Sequence, residues 1–235
     1  MNALTLLDRP TDQIRTARLS LRPIREDDAA RVYELFGQWG VIRTLRSAPW
    51  PYRFSDAQQF CRERARHVEG GAITFAITHK GELIGVIDAV SNPAVQRGPG
   101  YTLGYWVGRP YWNKGFVSEA ARAFIAHLFA ATGTGTIYSG VFALNASSLR
   151  VQEKLGFARA EEEMLYSRPH DAELPFVNTM LTREAFEAAA RRRQERDPLE
   201  LQQSPLIPAK AGIQGPRLRP KNWVPASAGT SGTES

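Results

Sequence analysis

The chain has 235 residues, of which 43% are hydrophobic and 23% charged. Those proportions suit an ordinary globular protein and exclude collagen, a coiled coil and a chain too polar to build a core. The net charge of +6 favours an anionic partner: nucleic acid, a membrane surface or a phosphorylated cofactor. No apolar run approaches the ~18 residues of a membrane span. Asp8, Arg9, Asp12 and Arg15 interrupt the first segment, so it lacks the apolar stretch of a secretory leader. The single cysteine, Cys61, has no partner for an internal disulfide and fits a reducing cytoplasm.

In chain order, Thr16–Ile24 alternates apolar and polar residues and is predicted as a strand. Glu26-Asp27-Asp28 places carboxylates at the first turn of a helix reaching about Phe36. Ser55 is expected to cap a helix over 56–69 that carries Phe60, Cys61 and Val68. Two strands, Ala72–Thr78 and Leu83–Val90, join at the hairpin-like Lys80-Gly81-Glu82. After a loop comes a strand, Tyr101–Val107, then a turn rich in glycine, proline and aromatics. Val117, Ala120, Ala121, Phe124, Ile125, Leu128 and Phe129 then make one apolar helical stripe. A strand at Thr136–Phe142 precedes a short helix from Asn145 to Leu155, stopped by Gly156. Strands near Ala158–Tyr166 and Phe176–Leu181 and a last helix, Arg183–Arg196, complete a mixed α/β order. The run Arg191-Arg192-Arg193 with Arg196 reads either as a solvated helix end or as a nucleic-acid-binding tail.

Composition shifts after Asp197. Residues 197–235 hold six of the fifteen prolines and echo Ile207-Pro208-Ala209-Lys210-Ala211-Gly212 as Val224-Pro225-Ala226-Ser227-Ala228-Gly229. Two short copies cannot stack into a solenoid. The stretch resembles a translated intergenic repeat element, and it is expected to be a disordered Pro/Gly-rich tail behind a folded domain at 10–196.

The strand–turn–helix unit from Tyr101 to Ala120 is the most informative segment. A helix beginning after such a turn presents unpaired N–H groups and its positive dipole end, which suit a phosphate or pyrophosphate. Gly115 allows close backbone approach and Lys114 adds a cation. No Gly-Lys-Ser/Thr is present, and the glycines at 98, 100 and 104 precede a strand, so neither a Walker loop nor a dinucleotide fingerprint fits. Farther on, Asn145 stands at a strand-to-helix junction, where its amide can cap the helix or serve an amide-bearing ligand. No HExxH or Cys/His pair suggests a metal, and His67, His79, His127 and His170 show no ligand spacing.

Together these segments resemble the GNAT N-acetyltransferase superfamily, in its ribosomal-protein N-acetyltransferase-like (RimJ/RimL-type) branch. The resemblance runs from about Thr16 to Phe186. It rests on Thr16-x-Arg18-Leu19-x-Leu21-Arg22-Pro23, on Tyr111-Trp-Asn-Lys-Gly-Phe-Val-Ser-Glu-Ala120, and on Asn145, Ser148 and Glu153–Phe157. Trp112 stands where relatives often begin the loop with glutamine or arginine, as is common in this branch. Val117 replaces a small residue, and Gln152 replaces a tyrosine that many relatives carry as an acid.

The resemblance implies a mixed α/β GNAT fold, with a mostly antiparallel sheet of six to seven strands splayed at a cofactor slot. It implies acetyl transfer from acetyl-CoA to a primary amine, a protein N-terminus or a small amine, by direct attack on the thioester. Backbone groups near Trp106, Val107 and Gly108 would hold the pantetheine arm and polarise the thioester. Asn113, Lys114, Gly115, Phe116, Val117 and Ser118 would take the pyrophosphate, and Asn145 an amide of the arm. Ser148 is left as the hydroxyl that serves the departing sulfur. Glu161-Glu162-Glu163 would send Glu161 and Glu163 to one face, yet no general base is evident. The aromatic segment Trp39–Phe54, with Trp50-Pro51-Tyr52, is expected to line the acceptor pocket. A monomer or homodimer in the cytoplasm, with neither membrane nor nucleic acid as partner, completes the expectation. The alternative is an acyl-CoA-binding protein without turnover.

Overall fold

The computed structural model describes residues 13–66, 72–91 and 100–196. The chain divides into Met1–Ser204 and Pro205–Ser235. The Pro/Gly-rich tail, His67 and Val68 lie outside the described residues.

Eight strands form one sheet in the order β1-β2-β3-β4-β5-β6-β8-β7. They are β1 (Ile14–Arg15), β2 (Leu19–Pro23), β3 (Ala72–His79), β4 (Glu82–Ser91), β5 (Tyr101–Val107), β6 (Thr136–Phe142), β7 (Ala158–Ser167) and β8 (Ala172–Thr182). All neighbours run antiparallel except β5 and β6. The strand beyond the expected six to seven is β1, two residues long, a length at which alternation carries no signal.

The β3–β4 turn uses Lys80 at φ 52° and Gly81 at φ 87°, the paired left-handed positions of a two-residue hairpin loop whose twist matches its strands.

Helices cover both faces. One face carries α1 (Ala29–Phe36) and α3 (Phe54–Ala65), packed through Val32, Leu35, Ala57 and Cys61 onto Ala76 and Val86. The other carries α4 (Phe116–Thr132), whose Ala120, Phe124, Ile125 and Leu128 bury against Leu21, Phe75, Ile77 and Ile87. Beside α4 lie α5 (Ala146–Leu155) and α6 (Arg183–Arg196). A short α2 (Trp39–Ile42) interrupts the aromatic segment, where the sequence predicted no helix.

Two expectations change. Ser55 does not cap α3, because the helix already begins at Phe54 and the Asp56 carboxylate in its first turn accepts the Arg53 N–H at 2.7 Å. Within the α4 stripe, Phe116 is buried and Val117 is only partly so, because Val117 borders a cavity.

Asp28 does more than complement a dipole. It is buried beneath Arg22, whose guanidinium grips both carboxylate oxygens at 2.6 and 2.8 Å, and it also accepts the Arg25 N–H at 2.8 Å.

Candidate active site

The parallel pair β5–β6 holds register only at Tyr101↔Ile137 and Thr102↔Tyr138. The last tie is a side chain: Ser139 Oγ donates to the Leu103 carbonyl at 3.0 Å, and β5 then continues to Val107 away from its neighbour. A buried amide braces this fork. Gln152 Nε2 donates to Ser139 Oγ at 2.9 Å, and its Oε1 accepts from Thr179 Oγ at 2.8 Å. The position where many relatives carry a tyrosine therefore serves the fork instead of a ligand, and the residue is 1% exposed.

A cavity of about 480 Å³ opens at the fork. Trp106, Val107, Asn113, Gly115, Phe116, Val117, Ser118, Asn145 and Ser148 line it, so the structure gathers most of the sequence-predicted site residues at one place. Gly108 and Lys114 are not in its wall. Gly108 is tied to the sheet, its N–H donating to the Ile84 carbonyl at 2.9 Å, and a side chain there would meet Leu35 at 2.8 Å. Its amide is therefore spoken for by β4, not by a ligand. The Lys114 ammonium sits 5.8 Å from the Tyr111 ring centre.

The loop into α4 is built by two left-handed residues, Asn113 at φ 60° and Gly115 at φ 76°. They reverse the chain so that the first turn of α4, whose leading N–H groups lack intrahelical partners, faces the cavity. Trp112 fixes the loop from the other side, donating its indole N–H to the Val107 carbonyl at 2.8 Å. That carbonyl is thereby engaged.

Behind the loop, Arg18 donates to the Lys114 carbonyl at 3.0 Å and pairs with Glu119 at 2.7 Å, its guanidinium 4.8 Å from the Phe116 ring centre. Burial pushes the Glu119 carboxyl up, but hydrogen bonds from the Thr16 hydroxyl and from the Arg18 N–H and guanidinium outweigh it and hold the group below the usual carboxylate range. Two sequence motifs about a hundred residues apart thus form one brace.

On the far wall, Asn145 caps α5: its Oδ1 accepts the Ser148 N–H at 3.2 Å and the Ser147 hydroxyl at 3.0 Å. The amide oxygen is committed to the helix start, which leaves the Nδ2 donor as the group with which Asn145 can meet a ligand. Ser148 is not an isolated helix-start hydroxyl. Tyr105, from β5, places its hydroxyl 2.8 Å from Ser148 Oγ. Burial raises the Tyr105 phenol above its ordinary value, although hydrogen bonds with Ser148 and Gln152 pull the other way.

A second cavity, about 610 Å³, lies toward α1 and α3 and shares Leu45, Tyr105 and Trp106 with the first. Side chains alternate across a sheet. Tyr105 and Val107 therefore join the α4 layer, while Trp106 joins the α1/α3 layer. Both cavities are walled by a side chain from each layer at this point of β5.

The aromatic segment contributes unevenly to the second cavity. Leu45, Arg46, Ser47, Ala48, Pro49 and Tyr52 line it, whereas Trp39 and Trp50 meet at a tilt of 52° outside it, beside His170.

Glu161, Glu162 and Glu163 line neither cavity. A bulge between Arg159 and Glu162 disturbs the expected alternation, and Asn178 Nδ2 donates both to the Glu161 carbonyl and to the Glu163 carboxylate. His127 lies at the core edge near Phe75, and His170 Nε2 donates to the Arg43 carbonyl at 2.9 Å. Among the described residues there is no cluster of three or more His, Cys, Asp or Glu that could hold a metal ion, and no helix long and apolar enough to cross a membrane.

Sequence reasoning missed Tyr105 and Asp88. Asp88 stands in the wall of the second cavity, and its only signal was one carboxylate inside the apolar run Leu83–Val90.

The chain is similar in sequence and in overall fold to known proteins. The uncharacterized N-acetyltransferase p20 of Bacillus licheniformis is 28% identical over 151 residues, covering 61% of this chain and 81% of that protein. Mycobacterium smegmatis RimJ, solved in complex with CoA-disulfide, superposes with a TM-score of 0.67 at 22% identity over 80% of this chain and 96% of its own. A GNAT-family acetyltransferase from Bacillus anthracis gives a TM-score of 0.63 at 21% identity over 74% and 99% of the two chains. Residues 18–158 match the model of the acetyltransferase (GNAT) domain, a span running from the Arg18 brace through the fork to the end of α5, and the chain belongs to that family.

Proposed function

We propose that the protein is an N-acetyltransferase that moves the acetyl group of acetyl-CoA onto a primary amine by direct attack within a ternary complex. The observation that carries this reading is the fork at β5, where a cavity walled by the start of α4 meets a second cavity across Tyr105 and Trp106. The residues present suit the co-substrate. Left-handed Gly115 leaves an open cradle, with only the Arg18 guanidinium within 4 Å of where its Cβ would stand. Partnerless amides at a helix start suit a pyrophosphate.

In this reading Asn113, Gly115, Phe116, Val117 and Ser118 hold the pyrophosphate, with Lys114 as a nearby cation. Trp106 and Val107 border the arm, and Asn145 Nδ2 donates to one of its amides. Acetyl-CoA, when bound, supplies an activated thioester carbonyl. Ser148 Oγ donates its proton toward the leaving sulfur, and the Tyr105 hydroxyl behind it orients that donor and can resupply it. The acceptor amine enters from the α1/α3 side. The reaction belongs in the cytoplasm, where acetyl-CoA is at hand and Cys61 stays a thiol. The RimJ-like fold makes a protein N-terminus a natural acceptor to test beside small amines.

Two measurements test this. Acetyl-CoA at ~100 times its dissociation constant should stabilise the protein by ~2.7 kcal/mol; an unchanged melting temperature would remove the assignment. A panel of peptides and small amines should release free thiol from acetyl-CoA, and turnover of any of them excludes a binding-only role.

In this reading residues 10–196 carry the activity. Removing residues 200–235, with five of the tail's six prolines, is therefore expected to leave melting temperature and turnover unchanged, whereas loss of either would assign the tail a part in the domain.

A further inference from the structure

The second cavity contains a carboxylate that the fold has no structural use for. Asp88 sits in the middle of β4, directly opposite Gly104 on β5 and Thr74 on β3. It lies one to two residues along from Tyr105 and Trp106, about 3–7 Å at the rise of a strand. Gly104 is what admits it: a Cβ at that position would stand 2.6 Å from Asp88 Oδ1. The carboxylate therefore lies flat on the sheet beside the fork, its side chain still 20% exposed to the cavity. Its nearest ionic partner, Arg64, is 3.8 Å away, too far for a hydrogen bond. Across the strand, the buried Thr74 hydroxyl has no hydrogen-bond partner among the described residues. Asp88 is thus a carboxylate in the cavity wall without a close donor, while the orphan Thr74 hydroxyl, on its register partner, is buried beneath the wall and supplies none.

We propose that Asp88 receives the acceptor amine and takes its proton, directly or through one water, in the acetyl transfer proposed above, on which this inference rests. The balance is simple. The acceptor arrives as an ammonium ion, and Asp88 removes one proton. The freed electron pair of nitrogen forms the C–N bond as the C–S bond breaks. The second proton passes from nitrogen to water as sulfur gains one from Ser148. Ser148 regains a proton from water through the Tyr105 hydroxyl, and the proton held by Asp88 passes to solvent, for a net release of one proton.

Electrostatics suit that task. Burial pushes the Asp88 carboxyl up to about 6, while the Arg64 charge opposes the rise. The other groups facing this cavity are Asp56 and Glu63 from α3, Arg46 and Arg168 from the adjoining loops, and the Tyr52 phenol, which burial keeps neutral. Acids and arginines balance in number, so burial and not crowding by like charge sets Asp88. Against an α-amino group at ~8 the proton transfer is uphill by about two units, and against a lysine at ~10.4 by more than four. The site therefore favours α-amino groups and other weakly basic amines over lysine side chains.

The test compares wild type, Asp88→Asn, Gly104→Ala and Arg64→Gln. For each, acetyl-CoA affinity and melting temperature are measured beside kcat/KM against pH, using the best peptide amine of the panel. Asp88→Asn is expected to bind acetyl-CoA as wild type does, to lose ~10²–10⁴-fold in kcat/KM, and to lose the acid limb near pH 6. Any limb due to the amine itself persists in every variant. Gly104→Ala, which displaces the carboxylate, should show a smaller loss, and Arg64→Gln should move the acid limb to higher pH. An Asp88→Asn enzyme within threefold of wild type, or one that keeps the acid limb, overturns the assignment.

A wild-type protein that binds acetyl-CoA but turns over no amine would count against acetyl transfer itself. Asp88 is then judged by its carboxyl ¹³C resonance during titration with alaninamide. Displacement of that resonance, absent when the probe is lactamide, supports an amine site; no displacement overturns it.

Discussion

Replacing Gly115 with valine is expected to raise the dissociation constant for acetyl-CoA at least tenfold. Gly115 holds φ 76°, a conformation that costs an L-residue ~1–2 kcal/mol and a β-branched one more. Each 1.4 kcal/mol is a factor of ten in affinity if the loop relaxes to escape the strain. Relaxation would turn the leading amides of α4 away from the cavity, and the new side chain would press on the Arg18 guanidinium, 3.4 Å from the Cβ position. The matched control is Gly133→Val at the other end of α4. Gly133 has φ 66° and no atom within 4 Å of its Cβ position, so that variant should lose similar stability and keep its affinity. Calorimetric titration of both proteins checks the pair. Equal affinities would mean that the loop is turned for folding alone.

Ser148→Ala is expected to lower kcat and kcat/KM together by about a hundredfold, the lower end of general-acid contributions, because water can replace part of the hydroxyl. Tyr105→Phe removes the hydroxyl 2.8 Å behind Ser148 Oγ and should cost about tenfold. The two losses should not add, since the phenol acts through the serine; a double variant no slower than Ser148→Ala is the signature of that dependence. Asn145→Ala should behave differently, raising KM for acetyl-CoA and costing about 1 kcal/mol of stability through the lost helix cap. Multiplying single-variant losses would show that Tyr105 merely packs. Wild-type turnover in Ser148→Ala would mean that the thiolate leaves with water.

The sequence exposed those parts of the fold that depend on local pattern. Bounds for β5, β6 and α6 follow from alternation and turn residues, and the Lys80-Gly81 turn from its left-handed preference. Long-range relations were hidden. Nothing local says that Glu119 closes on Arg18, that Tyr105 meets Ser148, or that Gln152 braces the fork, because each depends on register between strands and helices distant in sequence. The loop into α4, to which the proposed reading gives the cofactor, was legible because its residues are contiguous. Asp88 was not, because periodicity assigns a residue to a face and says nothing of the empty position across the strand that admits it. Cap assignment at α3 failed because the helix starts two residues earlier than expected, with Arg53 at the cap and Asp56 in the first turn accepting its N–H.

The first cavity extends along the start of α4 and the second toward α1 and α3, and they share Leu45, Tyr105 and Trp106 in their walls. In the proposed reaction each reactant consequently has its own doorway. Neither must depart before the other arrives, so steady-state double-reciprocal plots should intersect instead of running parallel, as they would for a covalent acetyl-enzyme. The doorways also separate inhibitors. A molecule shaped like the amine should compete with the amine and not with acetyl-CoA, while a bisubstrate compound threading the fork would gain from both sites at once, its tether length set by the span between the two cavities.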